Sequence, residues 1–197
     1  MSVKRGPGYI VGGSDGWLRV RRHISATIIS LPEFLRIDIT DVRDGRIHFV
    51  VREGVHSGSF CSVVEGNHVR SGSPPHVGPV RLTFSISKQQ LTHPGGIAFA
   101  VTYPVNPIPI GRHPIQIFDF PHGAGALYLP QTAYALSWCY LGHGTAVRRS
   151  NDRYLHPGEL SSGCVSVKPA DWTAVYQRLV RARSGDGKTF GYLDVLR

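Results

Sequence analysis

Glycine and proline punctuate this chain so densely that few stretches of it can run as helix. Its 197 residues include 23 glycines and 14 prolines, spread along the whole length. Proline lacks an N–H and fixes φ, and glycine loses more backbone freedom on ordering than any other residue, so both interrupt helices. Such spacing favours many short strands joined by turns. One stretch escapes it. Pro169 suits a first helical position, where its missing N–H costs nothing. Trp172, Val175, Tyr176, Leu179 and Val180 then fall at i, i+3, i+4, i+7 and i+8, which makes one apolar stripe. Arg178, Arg181 and Arg183 lie toward the C-terminal end, where the helix dipole favours cations, and Ser184-Gly185 stops the run. The pattern predicts a mostly-β chain with one main C-terminal helix over about 169–183.

The strand signals are local. Residues 1–16 are glycine-rich and read as a flexible lead, and 17–197 as a single mostly-β domain in which 17–80 forms an N-terminal β extension. Trp17 to Val20 and Ile24 to Ile29 have strand composition. Leu35, Ile37 and Ile39 alternate with Arg36, Asp38 and Thr40; Asp44-Gly45 supplies a tight turn and Ile47 to Val51 returns, a hairpin with one buried face. Glu53 to Pro79 reads as loop, broken by glycine and proline. Val80 to Ile86 alternates as a strand, and the apolar run Ile97 to Val101 predicts a strand buried on both faces. Further strands are expected at Ile115 to Phe118, at Leu127 to Leu129, through Leu136 to Leu141, and at Thr189 to Leu196.

The charge balance is 22 Lys+Arg against 13 Asp+Glu, or +9 with histidine neutral. Such a surface attracts polyanions. The basic residues are scattered without an aromatic–basic repeat, which speaks against nucleic acid and for solubility and envelope affinity. No run of about 18 apolar residues exists, so no membrane span is expected. The start MSVKRGPGYIVGGSDG lacks the apolar stretch of about 7–15 residues that a secretory signal needs. The expectation is synthesis in the bacterial cytoplasm without a signal peptide. Cys61, Cys139 and Cys164 are an odd count without close-pair spacing, so at least one thiol stays free.

Two glycine-flanked groups stand out: His143 in Gly142-His143-Gly144-Thr145, and Cys164 in Ser161-Ser162-Gly163-Cys164. Acyl transfer from an amide needs a nucleophile, a base, and N–H donors for the oxyanion. A cysteine serves when a nearby imidazole takes its proton. Gly163 permits an unusual backbone conformation, so that the N–H groups of Gly163 and Cys164 can converge on a developing oxyanion. His143 is the favoured base; His156, nearer in sequence, is its rival. A metal site from Cys139, His143 and Cys164 lacks a close cysteine pair or a second spaced histidine. Neither metal nor cofactor is expected.

With these residues in place the chain resembles a known family. His143-Gly144-Thr145, followed after a polar loop by Ser161-Ser162-Gly163-Cys164-Val165, resembles the signature of L,D-transpeptidase (YkuD-type) catalytic domains. Upstream, Ile108-Pro109-Ile110-Gly111-Arg112-His113 is similar to that family's threonine-proline-x-glycine-x-tyrosine segment at Pro109 and Gly111. The resemblance spans about Asn106 to Val167. It implies a β-sandwich and a cysteine acyl-transferase acting on peptidoglycan stem tetrapeptides, by transpeptidation or D-amino-acid exchange. It implies that Cys164 forms a thioester as the terminal D-Ala leaves, and that His143 moves the proton with its ring oriented by the Gly144 carbonyl. Ser161 would shape the turn, and Ser162, Thr145 and His156 would support it or touch substrate. An L,D-carboxypeptidase using the same thioester, and a non-catalytic basic cell-wall-binding domain, remain alternatives.

The family usually has arginine where this chain has Ser166; Lys168, Arg148, Arg149 and Arg153 are the candidates to replace it. A cell-wall site on a chain read as lacking a signal implies a signal-independent route, as for an antibacterial effector acting in a target cell's periplasm or wall. Residues 1 to about 80 would then extend the fold, cover the site, or meet an immunity or secretion partner.

Overall fold

The computed structural model describes residues 3–143 and 151–197, with only the backbone of His143 described. The expected hairpin sets the pattern of the N-terminal half. Asp44 and Gly45 both take positive φ, 53° and 66°, as a two-residue hairpin loop matching strand twist requires. The strands are β1 (Gly6–Ile10), β2 (Trp17–Arg22), β3 (Ile28–Pro32), β4 (Arg36–Arg43), β5 (Arg46–Val51), β6 (Phe60–Val64) and β7 (Val69–Ser71). They form one sheet in the order β3-β2-β6-β5-β4-β1-β7. Alternate residues Ile37, Ile39, Ile47, Phe49, Val51, Cys61 and Val63 are buried, as a sheet with one core face demands.

The second half holds β8 (Val80–Ser85), β9 (Gln90–His93), β10 (Gly96–Val101), β11 (Gly111–Gln116), a 3-10 helix (Gly123–Tyr128), β12 (Cys139–His143), β13 (Asp152–Pro157), β14 (Val165–Val167), α1 (Pro169–Leu179) and β15 (Thr189–Leu196). Its sheet runs β11-β15-β8-β9-β10-β14-β13-β12. Two pairs are parallel, β8 with β15 and β13 with β14. The edge strands β11 and β12 approach each other, so the sheet curls round on itself.

One connected set of buried apolar residues runs from Ile10 in the first sheet to Val195 in the second. Polar contacts bind the halves. Trp17 Nε1–H donates to Ser137 Oγ at 3.0 Å, and the Tyr176 hydroxyl of α1 donates to Glu33 at 3.0 Å. Tyr134 stacks on Tyr176 with ring centres 3.9 Å apart. No helix among the described residues is long and apolar enough to cross a membrane.

The mostly-β reading, the helix start and β15 match what the sequence predicts. Elsewhere the fold departs from it. The expected flexible lead contains β1, which pairs with both β4 and β7. The expected loop from 53 to 79 contains β6 and β7, and β6 lies inside the sheet between β2 and β5. β10 is not buried on both faces: Ile97 and Phe99 are 64% and 49% exposed, while Ala98 and Ala100 face the core. Leu127 belongs to the 3-10 helix rather than a strand. α1 ends at Leu179, short of the expected 183; Arg183 lies beyond it and donates to the Val180 and Ala182 carbonyls.

Candidate functional site

Three neighbouring strands carry the candidate groups. In the antiparallel pair β12·β13, Cys139 lies opposite Leu155 and His143 opposite Asp152. In the parallel pair β13·β14, Leu155 lies opposite Val165 and His156 opposite Ser166. Cys164 precedes that ladder by one residue, and its sulfur extends it. The Tyr154 N–H donates to Cys164 Sγ at 3.4 Å, and the thiol faces the Asp152 carbonyl at 3.9 Å. His143 and Cys164 are therefore on either side of one strand, roughly 10 Å apart at the backbone for two strand spacings. Gly144 and Thr145 lie outside the described residues.

The turn before the cysteine is held by its own serine. Ser161 Oγ accepts the Gly163 N–H at 3.0 Å and donates to the Cys164 carbonyl at 2.7 Å. Gly163 has φ 125°, a backbone conformation that L side chains rarely adopt. A Cβ there would also lie 2.6 Å from both Arg153 Cζ and the Asn106 carbonyl oxygen. The Pro-Gly segment buttresses this turn from behind: Thr102 Oγ1 donates to the Gly163 carbonyl at 3.3 Å and accepts the Ile108 N–H at 3.1 Å. The sequence suggested two N–H groups converging on an oxyanion; in this arrangement the Gly163 N–H is already committed to Ser161. Ser162 is exposed.

His156 does not meet the sulfur. Its buried ring stacks on Trp138 at 4.2 Å, with Nδ1 2.9 Å from the Pro157 carbonyl and Nε2 3.2 Å from Ser166 Oγ. Burial pushes its pKa down to about 4. A ring with both nitrogens engaged is poorly placed as a base for Cys164. Ser166, fully buried, donates to the Leu160 carbonyl at 2.9 Å. Lys168 is exposed. Of the candidate cations, the described buried one is Arg153, 1% exposed.

The Cys164 thiol is held above its ordinary pKa, burial outweighing the groups that oppose it. Burial raises its pKa and the Asp152 carboxylate adds to that, while the Tyr154 N–H and the Arg153 guanidinium pull it down. Tyr154 is pushed up to about 12, mainly by burial, so its hydroxyl keeps its proton. Cys139 is fully buried, and burial holds its thiol well above the usual range. Among the described residues no cluster of three or more His, Cys, Asp or Glu could hold a metal ion.

Sequence reasoning did not single out the aromatic stack flanking this site. Phe120, His122, Trp138 and His156 stack ring on ring at 4.3, 4.7 and 4.2 Å, with Tyr154 edge-on to His122 and Trp138. The available signal was the i, i+2 spacing of Trp138 with Tyr140 and of Tyr154 with His156, which puts each pair on one strand face. A cleft of about 420 Å³ lined by Phe99, Gly158, Glu159 and Lys168 opens beyond the opposite end of β13, away from the thiol. A second, of about 430 Å³, is lined by Val105 to Ile110 and shares Asn106 with the Gly163 contact.

No family model matches the chain, and no curated protein matches it. Among solved structures it is similar to Mycobacterium tuberculosis L,D-transpeptidase 1, at 16% identity and TM-score 0.34, covering 77% of this chain and 71% of that one. It is also similar to an L,D-transpeptidase from Mycobacterium tuberculosis H37Rv, at 14% identity and TM-score 0.37, covering 92% of this chain and 76% of that one.

Proposed function

We propose that the chain is a cysteine acyl-transferase acting on peptidoglycan stem peptides, with Cys164 as nucleophile and His143 as base. The observation that carries this is the strand register: His143 lies opposite Asp152, and the Cys164 sulfur rests on the Asp152 carbonyl and Tyr154 N–H of that same strand. Two residues 21 positions apart in sequence thereby flank one strand. Together with the HGT and SSGC motifs, this supports the L,D-transpeptidase reading.

In this reading His143 takes the thiol proton and the Cys164 sulfur attacks the amide carbonyl carbon that precedes the terminal D-Ala of a stem tetrapeptide. The C–N bond breaks, D-Ala leaves with the proton returned by the imidazolium, and a thioester remains on Cys164. An amine, from a second stem or a free D-amino acid, then displaces the sulfur. For the Gly163 N–H to serve the oxyanion, the Ser161 hydroxyl must turn away from it, so Ser161 is the adjustable part of the site.

The test incubates purified protein with tetrapeptide muropeptides, with and without a D-amino acid, and reads the products by mass spectrometry. Exchange of the terminal residue is expected, abolished by Cys164→Ala and by His143→Ala and retained in Cys139→Ala. Unchanged turnover in Cys164→Ala would sink the mechanism. Release of D-Ala without amine incorporation would instead identify the hydrolytic carboxypeptidase.

A further inference from the structure

Arg153 is a buried cation without a visible reason. It sits on β13 between Asp152 and Tyr154, the two residues whose backbone groups hold the Cys164 sulfur, and is 1% exposed. Its Nε and Nη2 are buried and have no hydrogen-bond partner among the described residues. A guanidinium offers five N–H donors and no acceptor, so a buried one calls for partners. A buried charge is tolerated when an opposite charge accompanies it.

Among the described residues no carboxylate fills that role. None of the ion pairs among the described residues includes Arg153. Residues 144–150, GTAVRRS, contain no acidic side chain that could reach in. Asp152 is next in sequence, but strand alternation sends neighbouring side chains to opposite faces; its carboxylate lies 3.5 Å from the Tyr140 hydroxyl. The guanidinium instead lies under the cysteine turn, against the α-carbon of Gly163: a Cβ built there would be 2.6 Å from Cζ and 2.9 Å from Nε. The next side chain along the turn is Cys164, a group able to become an anion on demand.

We propose that Arg153 is a positioning residue for the nucleophile, its guanidinium being the resident counter-charge of the Cys164 thiolate. This rests on the reading of Cys164 as the nucleophile. When the thiol proton passes to His143, the sulfur gains the negative charge that Arg153 lacks, and the pair becomes neutral overall. Among the described residues, the other groups acting on the sulfur are the Asp152 carboxylate, which opposes the thiolate, the protonated Tyr154 hydroxyl and the Tyr154 N–H, all from β13, with the His143 backbone on β12 beyond them. The field of Arg153 favours the thiolate and offsets part of what burial and Asp152 impose, although burial still leaves the resting thiol above its ordinary value. It also accounts for a site with serine at 166: the positive charge enters from β13, beneath the turn, rather than from the strand that follows the cysteine.

The experiment measures the rate of iodoacetamide alkylation of Cys164 against pH in the purified full chain, with the modified site confirmed by mass spectrometry. Arg153→Met should move the midpoint up by at least about one pH unit, with alkylation at neutral pH about tenfold slower; Arg153→Lys should restore most of that. An unchanged midpoint in a folded Arg153→Met protein overturns the proposal. Should Arg153→Met not fold, Cys164→Asp and Cys164→Asn decide: a permanent anion beside Arg153 should make Cys164→Asp melt higher at pH 7, and a higher-melting Cys164→Asn overturns the pairing. Neither readout needs peptidoglycan. A shifted midpoint in a protein inert toward muropeptides would count only against the proposed function, and exchange activity with an unshifted midpoint only against the role of Arg153.

Discussion

The Glu53 carboxylate accepts the Arg183 Nε–H at 2.9 Å, with side chains 1% and 5% exposed. Glu53 follows β5 and Arg183 follows α1, so the pair ties the N-terminal sheet to the helix that succeeds the cysteine turn. Arg36 of β4 bonds the same carboxylate, and Arg183 also reaches the Phe34 carbonyl. Glu53→Gln leaves Arg183 buried beside a neutral amide and is expected to cost about 3–5 kcal/mol in urea unfolding. Burial alone would raise the Glu53 pKa, but Arg183 and Arg36 together hold it below its ordinary 4.5. The folded state therefore binds its proton later than the unfolded one. The contribution is present above about pH 4.5 and is lost as pH falls through the depressed folded value. Stability of Glu53→Gln should vary less with pH in that acid range; an equal dependence would refute the assignment.

His156 makes a second, separable pH prediction. Burial pushes its pKa down to about 4 from the usual 6.5, so the unfolded chain takes up a proton that the folded one refuses. Stability should be full above pH 6.5 and fall by about 3 kcal/mol as pH drops toward 4. His156→Phe can keep the stack on Trp138 while removing the titrating ring. Its melting temperature should change less between pH 7 and pH 4.5 than the wild type's. The dependence will not vanish, because His76, also lowered by burial to about 4, titrates in the same window.

What was readable in the sequence was whatever is specified locally. α1 announces itself through Pro169 and a stripe of five apolar residues, and the β4–β5 hairpin through alternation and Asp44-Gly45. β6 was hidden because five residues between glycine-rich loops carry little period of their own; its place is fixed by β2 and β5, remote in sequence. The same holds within the site. Cys164, Gly163 and Ser161 stood out by their motif. Arg153 was one of four candidate cations that the sequence could not rank, since an arginine in a polar stretch reads as solvated until the parallel pairing of β13 with β14 puts it beneath Gly163.

The three thiols should separate cleanly by reactivity. Cys61 and Cys139 are both fully buried, and burial raises the first to about 11 and the second well above the usual range. Cys164 is partly exposed. Native protein at pH 8 should take up one equivalent of iodoacetamide, at Cys164, and three after denaturation. Labelling of Cys139 at a comparable native rate would mean that β12 opens readily, and would weaken the strand register on which the site depends.

Gly163 should tolerate no side chain, for two reasons that reinforce each other. Its φ of 125° is strained for any L residue, and a methyl group would press on Arg153 and on the Asn106 carbonyl, both at 2.6 Å. Asn106 is backbone in a proline-flanked segment pinned through Thr102, so it cannot readily retreat, and moving Arg153 would displace a buried charge. Gly163→Ala is therefore expected to lose about 2–4 kcal/mol in urea unfolding and to slow Cys164 alkylation, because the turn must shift away from the guanidinium. Ser161→Ala provides the contrast. It removes the hydroxyl that joins the Gly163 N–H to the Cys164 carbonyl and should cost only about 1–2 kcal/mol, with Arg153 still in place and alkylation close to the wild-type rate. If the two variants slow alkylation equally, the turn's own hydrogen bonds, rather than its seat on Arg153, set the reactivity of the cysteine.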